Sequence, residues 1–377
     1  MARWCRRGDL PPTGNAVLLR DSAPLPEFQG YGSSWVNSGT AALALAMMMA
    51  RARCAHVLAP TVVLPAYGCP DLVAAAEFAQ LRPVLVDIEA DDPGYSLSAL
   101  ERALTSDVVA VVAVNFLGIR ERLGDLKDLL ASRSQALLIE DNAQWFPEPA
   151  DGCRLVGDLV CLSFGRGKPV SLLGGGALLV RAGSDLAILR SLIGPAPASG
   201  SLFPLKVRVF NKLLDRRWYW LINRNPAFSL GRTVFKPLTQ IAALDAARTS
   251  ILAANVAAYL SHERSVEARW ATALSRSPMV ASVSVAAERN GRLLRYPVLC
   301  RDASIRDTLL ARLHAAGLGA SAMYRVPLAQ VSGVGNKVQM AGECKGAAAF
   351  ASRLLTLPTH QQANLQDIDS AAAVLAQ

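Results

Sequence analysis

"SFGRGKPVSLLGGG", residues 163–176, sets one lysine, Lys168, between single glycines and a glycine triplet, directly after the apolar run "LVCLSF" (159–164). Taken alone, a glycine cluster is a turn and a loop lysine is a solvated charge. The flanking sequence gives the amine another meaning. Short apolar, β-branched runs recur at "HVLAPTVVLP" (56–65), "RPVLVDI" (82–88), "VVAVVAVNF" (108–116), "ALLIED" (136–141), "LVCLSF" and "GGALLV" (175–180). Helix-like segments such as "CPDLVAAAEFAQ" and "LGDLKDLLASR" lie between several of them. Near-continuous apolar strands alternating with helices predict an α/β fold with a mostly parallel sheet covered on both faces. In such sheets chemistry collects at the carboxyl ends of the strands, and Lys168 follows one.

After about residue 250 the pattern changes. A long helical stretch through "ILAANVAAYLSHERSVEARWATAL" leads to a strand "LLRYPVL" (293–299), a helix "IRDTLLARLHAAG" and a second short strand near "ASAMY". This predicts a large domain over residues 1–250 and a smaller α+β domain over 251–377. With 377 residues, 52% of them hydrophobic and 18% charged, the chain is long and apolar enough to bury a sizeable core.

The net charge of +9 is scattered except around 206–236 and accompanies no nucleic-acid recognition motif, so anionic small substrates or a membrane surface fit it better. Seven cysteines with no C-x-x-C pairing argue for a reducing compartment and against a disulfide framework or a zinc site. The start "MARWCRRGDLPPTG" has no apolar targeting core, and the longest apolar helical run, "AALALAMMMA", is about half a membrane span. A cytoplasmic protein is expected. "GRGKPVS" lacks the first glycine of a phosphate loop, which would fall at Leu162. His56, His262, His314 and His360 have neither metal spacing nor a triad partner, and His360 in "LPTH" is expected to pack or cap.

Three strand-end features line up. "VNSGTAALALAMMMA" places Ser38, Gly39 and Thr40 at a helix start, which reads as an ordinary N-cap or as an anion site made by unpaired N–H groups and the helix dipole. "LLIEDNAQ" ends a strand with Glu140 and Asp141, one of which points into the cleft and needs a partner such as a protonated ring nitrogen. Lys168 lies one strand later, beside Ser163. An amine to condense with an aldehyde, a carboxylate for a pyridinium nitrogen and a helix start for a phosphate are the requirements of pyridoxal 5′-phosphate.

The ordered set "SGTAAL", "LPAY", "PVLVDI", "VVAVNFLG", "IEDNAQ", "SFGRGK" and "GGGAL" resembles the DegT/DnrJ/EryC1/StrS family of fold type I pyridoxal-phosphate enzymes, densely over residues 33–182 and more loosely at "PLTQIAALDAA", "RYPV" and "LLTLPTH". The resemblance implies an aminotransferase that takes nitrogen from an amino acid, commonly glutamate, and gives it to a keto sugar on a nucleotide or lipid carrier, as a homodimer. It further implies that Lys168 binds the cofactor and shuttles the proton, that Asp141 keeps the ring nitrogen protonated, that Gln144 contacts the 3′-oxygen region, and that Gly39, Thr40 and Ser163, with Ser38 at the cap, cradle the phosphate. Small neighbours around Lys168 are expected to let it approach the cofactor and swing away.

Three departures from the family pattern stand out. Cys69 falls where an aromatic residue usually covers the ring, with Tyr67 two residues earlier as the other candidate. "GRTVFK" (231–236) has Thr233 at the asparagine of a stretch that lends a phosphate contact to the partner subunit, leaving Arg232 or Lys236 to supply charge. Residues 201–228 are unusually basic and aromatic, as befits a helical insertion packed on the core, a substrate lid or a membrane-surface helix. Other readings of the same resemblance are a sugar dehydratase, against which the intact Lys168 speaks because dehydratases of the family carry histidine there, and a non-catalytic regulatory relative.

Overall fold

The computed structural model describes residues 8–22, 24–148, 155–182, 189, 191–198, 200–223, 233–275, 277–283, 285, 289 and 291–376. Its larger sheet has eight strands: β1 (Tyr31–Val36), β2 (Thr61–Pro65), β3 (Arg82–Val86), β4 (Val108–Val114), β5 (Leu137–Asn142), β6 (Leu159–Ser163), β7 (Gly176–Arg181) and β10 (Gln339–Met340). They are ordered β1-β7-β6-β5-β4-β2-β3-β10. Neighbours from β10 to β6 are parallel, whereas β7 is antiparallel to β6 and β1 to β7. The parallel part of the sheet starts at β2, gains β3 on one side, and then crosses to place β4 on the other. Such a reversal leaves a crevice beyond the carboxyl ends of the strands. The central strands bury both faces, which is why "VVAVVAV" of β4 carries no polar residue.

Helix α1 (Gly39–Arg53) buries Ala41 through Met47 without interruption, because it is wedged between α2 (Asp71–Phe78) and the sheet. Helices α3 (Leu97–Ala103) and α4 (Leu123–Arg133) close the opposite face around Tyr95, Leu100 and Leu126. Helices α5 (Phe203–Leu213) and α6 (Arg216–Asn223) follow, and α7 (Ala246–Leu260) packs Ile251, Leu252 and Val256 against Phe203 and Val207.

The expected long helix after residue 250 is broken: α7 stops at Leu260, and α8 (Ser265–Leu274) starts a new direction. The break lets α8 cover the smaller antiparallel sheet of β8 (Val280–Ser282), β9 (Arg295–Cys300) and β11 (Leu354–Pro358), ordered β11-β9-β8. Helices α9 (Ala303–Ala315) and α11 (Leu365–Leu375) complete that layer. The short strand expected near "ASAMY" does not form. Ser321 makes a single bridge to Thr356 on the open edge of β11, exchanging two backbone hydrogen bonds with it. Residues 328–354, including α10 (Lys345–Arg353), return to the larger core through Leu328, Val334 and Phe350.

The N-terminal segment straps the two layers together. Leu10 N–H donates to Gly317 O at 2.8 Å, and the Asn15 amide donates to Pro169 O at 3.1 Å, on the loop of Lys168. The buried His360 ring donates from Nε2 to Pro11 O at 2.8 Å while its Nδ1 accepts from Gln362 N–H, so it packs and caps as expected. Burial pushes its pKa down to about 4.

An unfolded chain takes up a proton at this histidine near pH 6.5, and the folded chain refuses it until about pH 4. Stability that is fully present above pH 6.5 is therefore lost as pH falls toward 4. In denaturant unfolding at pH 7 and pH 4.5, the wild type should lose about 2 to 3 kcal/mol more than His360→Gln, which keeps an N–H for Pro11. Equal losses would mean that His360 titrates normally in the fold.

Candidate active site

Four strand ends converge on one cleft, lined by Cys69 after β2, Val114 and Phe116 at the end of β4, Asp141 on β5 and Ser163 on β6. Gly39, Thr40, Gln144 and Lys168 complete its chemistry. Seven of the eight site residues expected from sequence thus meet in one place. The exception is Ser38.

Lys168 is carried by a loop closed on Phe164. Leu172 N–H and Gly174 N–H both donate to Phe164 O, at 2.8 and 3.1 Å, and Phe164 N–H donates to Gly175 O at 2.9 Å. Phe164 itself is buried in the core beneath the loop, which fixes where the loop starts and ends. The glycine triplet serves a purpose other than the expected freedom for Lys168. Gly175 has φ +99, a conformation that disfavours any side chain, and a Cβ on Gly176 would lie 2.5 Å from Ser38 O and 2.7 Å from Gly39 N. The triplet lets the start of α1 rest on the start of β7. Beside Lys168, a Cβ on Gly165 would sit in ordinary van der Waals contact with Ser163 Oγ at 3.7 Å and Lys168 Cγ at 3.8 Å.

The same close packing explains Gly39, whose Cβ would lie 2.5 Å from Ser163 Cβ and 2.6 Å from its Oγ. A hydroxyl is thereby held against the first turn of α1, where backbone N–H groups have no partner within the helix. Ser38 is a correction to the expected cradle. Its Oγ accepts from Ala41 N–H at 3.0 Å, so the side chain is spent on the N-cap and does not line the cleft.

Asp141 and Glu140 are adjacent on β5, so they face opposite sides of the sheet. Glu140 is fully buried on the far side and accepts from Val156 N–H, Gly157 N–H, Asn142 Nδ2 and Asn115 Nδ2 at 2.9 to 3.3 Å. Asp141 faces the cleft and accepts from Ala143 N–H at 2.9 Å. Burial raises its pKa, the Ala143 N–H and the Lys168 charge oppose that, and Asp71 adds to it. A cation in the cleft would bring the carboxyl back to its charged form.

Gln144 is oriented from both ends: Oε1 accepts from Leu117 N–H at 3.0 Å, and Nε2 donates to the Tyr324 hydroxyl at 3.5 Å. Of the two candidates for covering a ring, Cys69 lines the cleft and Tyr67 does not. Tyr67 turns into the core against Phe116, Tyr324 and Phe350, with its hydroxyl donating to Met323 O and Tyr324 O. Burial first, and then the Asp71 charge, push the Cys69 thiol up to about 11, so it is neutral at physiological pH.

Two participants escaped the sequence reading. Asp71, at the first position of α2, reaches the cleft because that helix begins just after β2. Tyr324 hydrogen-bonds to Cys69 and Gln144 from a loop 180 residues beyond Gln144, and no local pattern marks it. Thr233 and Lys236 are not brought to this cleft. Their segment lies along the loop of Ser332 to Lys337, where Phe235 N–H donates to Ser332 O and the Lys337 ammonium sits 4.9 Å from the Phe235 ring. Arg232 lies outside the described residues, as do residues 224–228 of the basic aromatic segment.

An amine, a buried carboxylate in need of a cation and a side-chain-free helix start, gathered at the ends of parallel strands, define a pyridoxal-phosphate enzyme of fold type I. The model of the DegT/DnrJ/EryC1/StrS aminotransferase family matches residues 32–194 and 238–376, and the chain belongs to that family. Protein MosB of Rhizobium meliloti is 29% identical over 178 residues, a match spanning 46% of this chain and 34% of that protein. Among solved structures, a DegT DnrJ EryC1 StrS aminotransferase from Brucella abortus superposes with TM-score 0.67 at 20% identity, over 91% of this chain and 84% of the other. The E. coli GDP-4-keto-6-deoxy-D-mannose-3-dehydratase, with bound hydrated PLP, superposes with TM-score 0.71 at 16% identity, over 92% and 88%. At these identities the structures share the fold, and those that share it include both aminotransferases and a dehydratase.

The close contact at Gly39 predicts that Gly39→Ala, which forces the helix start away from Ser163, costs about 1 to 3 kcal/mol in stability and weakens cofactor binding. Gly39→Ala with Ser163→Gly should regain the stability while binding stays weak, since the hydroxyl is gone. Thermal unfolding and absorbance titration with pyridoxal phosphate read the two effects separately. Normal cofactor affinity in the single variant would remove Gly39 from the cradle.

Proposed function

We propose that this chain transfers the amino group of an amino acid, with glutamate as donor, to the keto group of a sugar on a nucleotide or lipid carrier, acting as a cytoplasmic homodimer. The observation that carries the reading is the placing of Lys168 and the buried Asp141 in one cleft beside the start of α1. When bound there, the cofactor supplies a ring that withdraws electrons from the substrate carbon.

The protein's own residues do the rest. The Gly39 and Thr40 N–H groups and Ser163 Oγ hold the phosphate. Asp141, with Oδ1 fixed by Ala143 N–H, uses its other oxygen to keep a proton on the ring nitrogen. Gln144, clamped by Leu117 and Tyr324, orients the oxygen beside the aldehyde. Cys69, which lines the cleft, would offer the ring a small neutral thiol. Lys168 Nζ would carry the proton: it takes one from the α-carbon of the amino donor in the first half-reaction and delivers one to the sugar carbon that receives the nitrogen in the second. The intact amine of Lys168 is the reason transfer is preferred to sugar dehydration.

The test is release of 2-oxoglutarate from glutamate by the loaded protein, followed by amination of keto sugars. Lys168→Ala should lower the rate by at least about three powers of ten with the fold intact, a barrier increase on the order of 5 kcal/mol. Turnover surviving in this variant without added amine would assign the proton transfer elsewhere.

The two carboxylates should separate cleanly. Asp141→Asn is expected to keep cofactor occupancy and lose the rate by about a hundredfold or more, since it keeps the shape without the charge. Glu140→Gln should instead cost about 1 to 3 kcal/mol of stability, because buried N–H donors lose a charged acceptor, with turnover per folded molecule near wild type. The reverse pattern would place Glu140 at the chemistry.

A further inference from the structure

Helix α5 is divided lengthwise. Phe203 and Val207 pack inward on α7, while Leu202, Leu205 and Val209 stand out at 59%, 54% and 49% exposure. Spaced three and four residues apart, these three form one outward stripe, which Lys212 extends. On α6, Trp218 and Leu221 are 43% and 53% exposed and likewise share a face. The Lys212 ammonium lies 4.5 Å from the Trp218 ring centroid and joins the two helices into one patch. Lys206, Arg208 and Arg217 are exposed around it, and among the described residues none of these four cations has an ion-pair partner.

Arg216 does not belong to the patch. It forms an ion pair with Asp367 on α11, donating from Nη1 to Oδ1 at 2.9 Å, and its carbonyl accepts from Asp9 N–H, so it docks α6 onto the rest of the protein. Neither helix carries an acidic side chain; Asp215, exposed in the turn between them, accepts from Arg217 N–H at 3.0 Å. What remains outward is leucine, valine and tryptophan interleaved with positive charge.

We propose that this face seats the enzyme on an anionic membrane surface, with the apolar stripe in the headgroup boundary and Lys206, Arg208, Lys212 and Arg217 on lipid phosphates. Aliphatic and indole side chains beside long cationic ones suit that boundary, since the stems lie along the apolar layer while the charges reach outward. Attachment is peripheral, as no helix among the described residues is long and apolar enough to cross a membrane. A second copy of the chain fits the face poorly. A twofold interface would press these four cations against their own counterparts with only Asp215 to offset them. The proposal concerns where the enzyme sits and stands apart from the aminotransfer reading, while giving a lipid-borne acceptor a place to be met.

The test is sedimentation of the full-length, cofactor-loaded protein with vesicles of phosphatidylcholine containing about a third phosphatidylglycerol, against phosphatidylcholine alone. Binding should appear on the anionic vesicles, fall as salt rises, and weaken about a hundredfold in Lys206→Gln/Arg208→Gln/Arg217→Gln, at about fivefold per charge. Leu205→Gln/Leu221→Gln should weaken it at every salt concentration. All substituted positions are exposed, and retained cofactor absorbance reports that each variant is folded. No preference for anionic vesicles, or unchanged binding by the triple variant, overturns the proposal. So does a dimer that separates in the Leu205→Gln/Leu221→Gln variant while the wild type ignores vesicles, which would make the patch a contact between copies. Because no substrate is present, failure of the amination assay leaves this result untouched.

Discussion

The active cleft depends on one backbone approach. The start of α1 rests on the end of β6 and the start of β7 at distances that exclude a β-carbon from both Gly39 and Gly176. Because α1 is wedged between α2 and the sheet along almost its whole length, it cannot retreat, and the side chains have to be absent instead. That contact aims the free N–H groups of the first helical turn at the same space that Ser163 and Lys168 enter from the next strand. It also consumes Ser38, whose hydroxyl caps the helix so that the turn holds its shape.

The electrostatics of the cleft follow from strand alternation. Glu140 and Asp141 are equally deep in the sheet, but one faces a nest of four donors and the other a cavity. A buried carboxylate whose donors are all in place is a structural anchor. A buried carboxylate with a single backbone donor, held up by burial and by Asp71, has a standing preference for a cation. Lys168 relieves part of that preference, and a protonated ring nitrogen would relieve the rest.

The second layer of the molecule contributes by reaching in. Tyr324 crosses from the C-terminal half to meet Cys69 and Gln144, and the N-terminal segment ties the Lys168 loop to the smaller sheet through Asn15, Pro11 and His360. Both contacts bear on residues of the cleft or its loop, so the orientation of the two layers and the geometry of the site are set together. Helices α5 and α6 join this network through Arg216 and through Asn211, which exchanges two hydrogen bonds with Val17 of the N-terminal segment, and their outer face is left for a different task.

The sequence by itself determined the alternation of strands and helices, the lysine loop, the acidic end of β5 and the helix start at Gly39. Each is a local pattern: a run of β-branched residues, a period, a cap, a glycine that fits only where nothing else does. Its ordered motifs also carried the family and the cofactor. Tertiary structure alone decided the rest. Which of Glu140 and Asp141 faces the cleft depends on the register of β5, and a slip of one residue exchanges them. Tyr67 and Cys69 stand two residues apart beyond the strand, and only the packing of Phe116 and Phe350 shows that the tyrosine belongs to the core. The glycine triplet was legible as a need for space, but what filled that space was α1, more than a hundred residues earlier, and not the swing of Lys168. Tyr324 left no trace in its own neighbourhood, since a contact made across 180 residues is set by how two layers pack and by no periodicity along the chain.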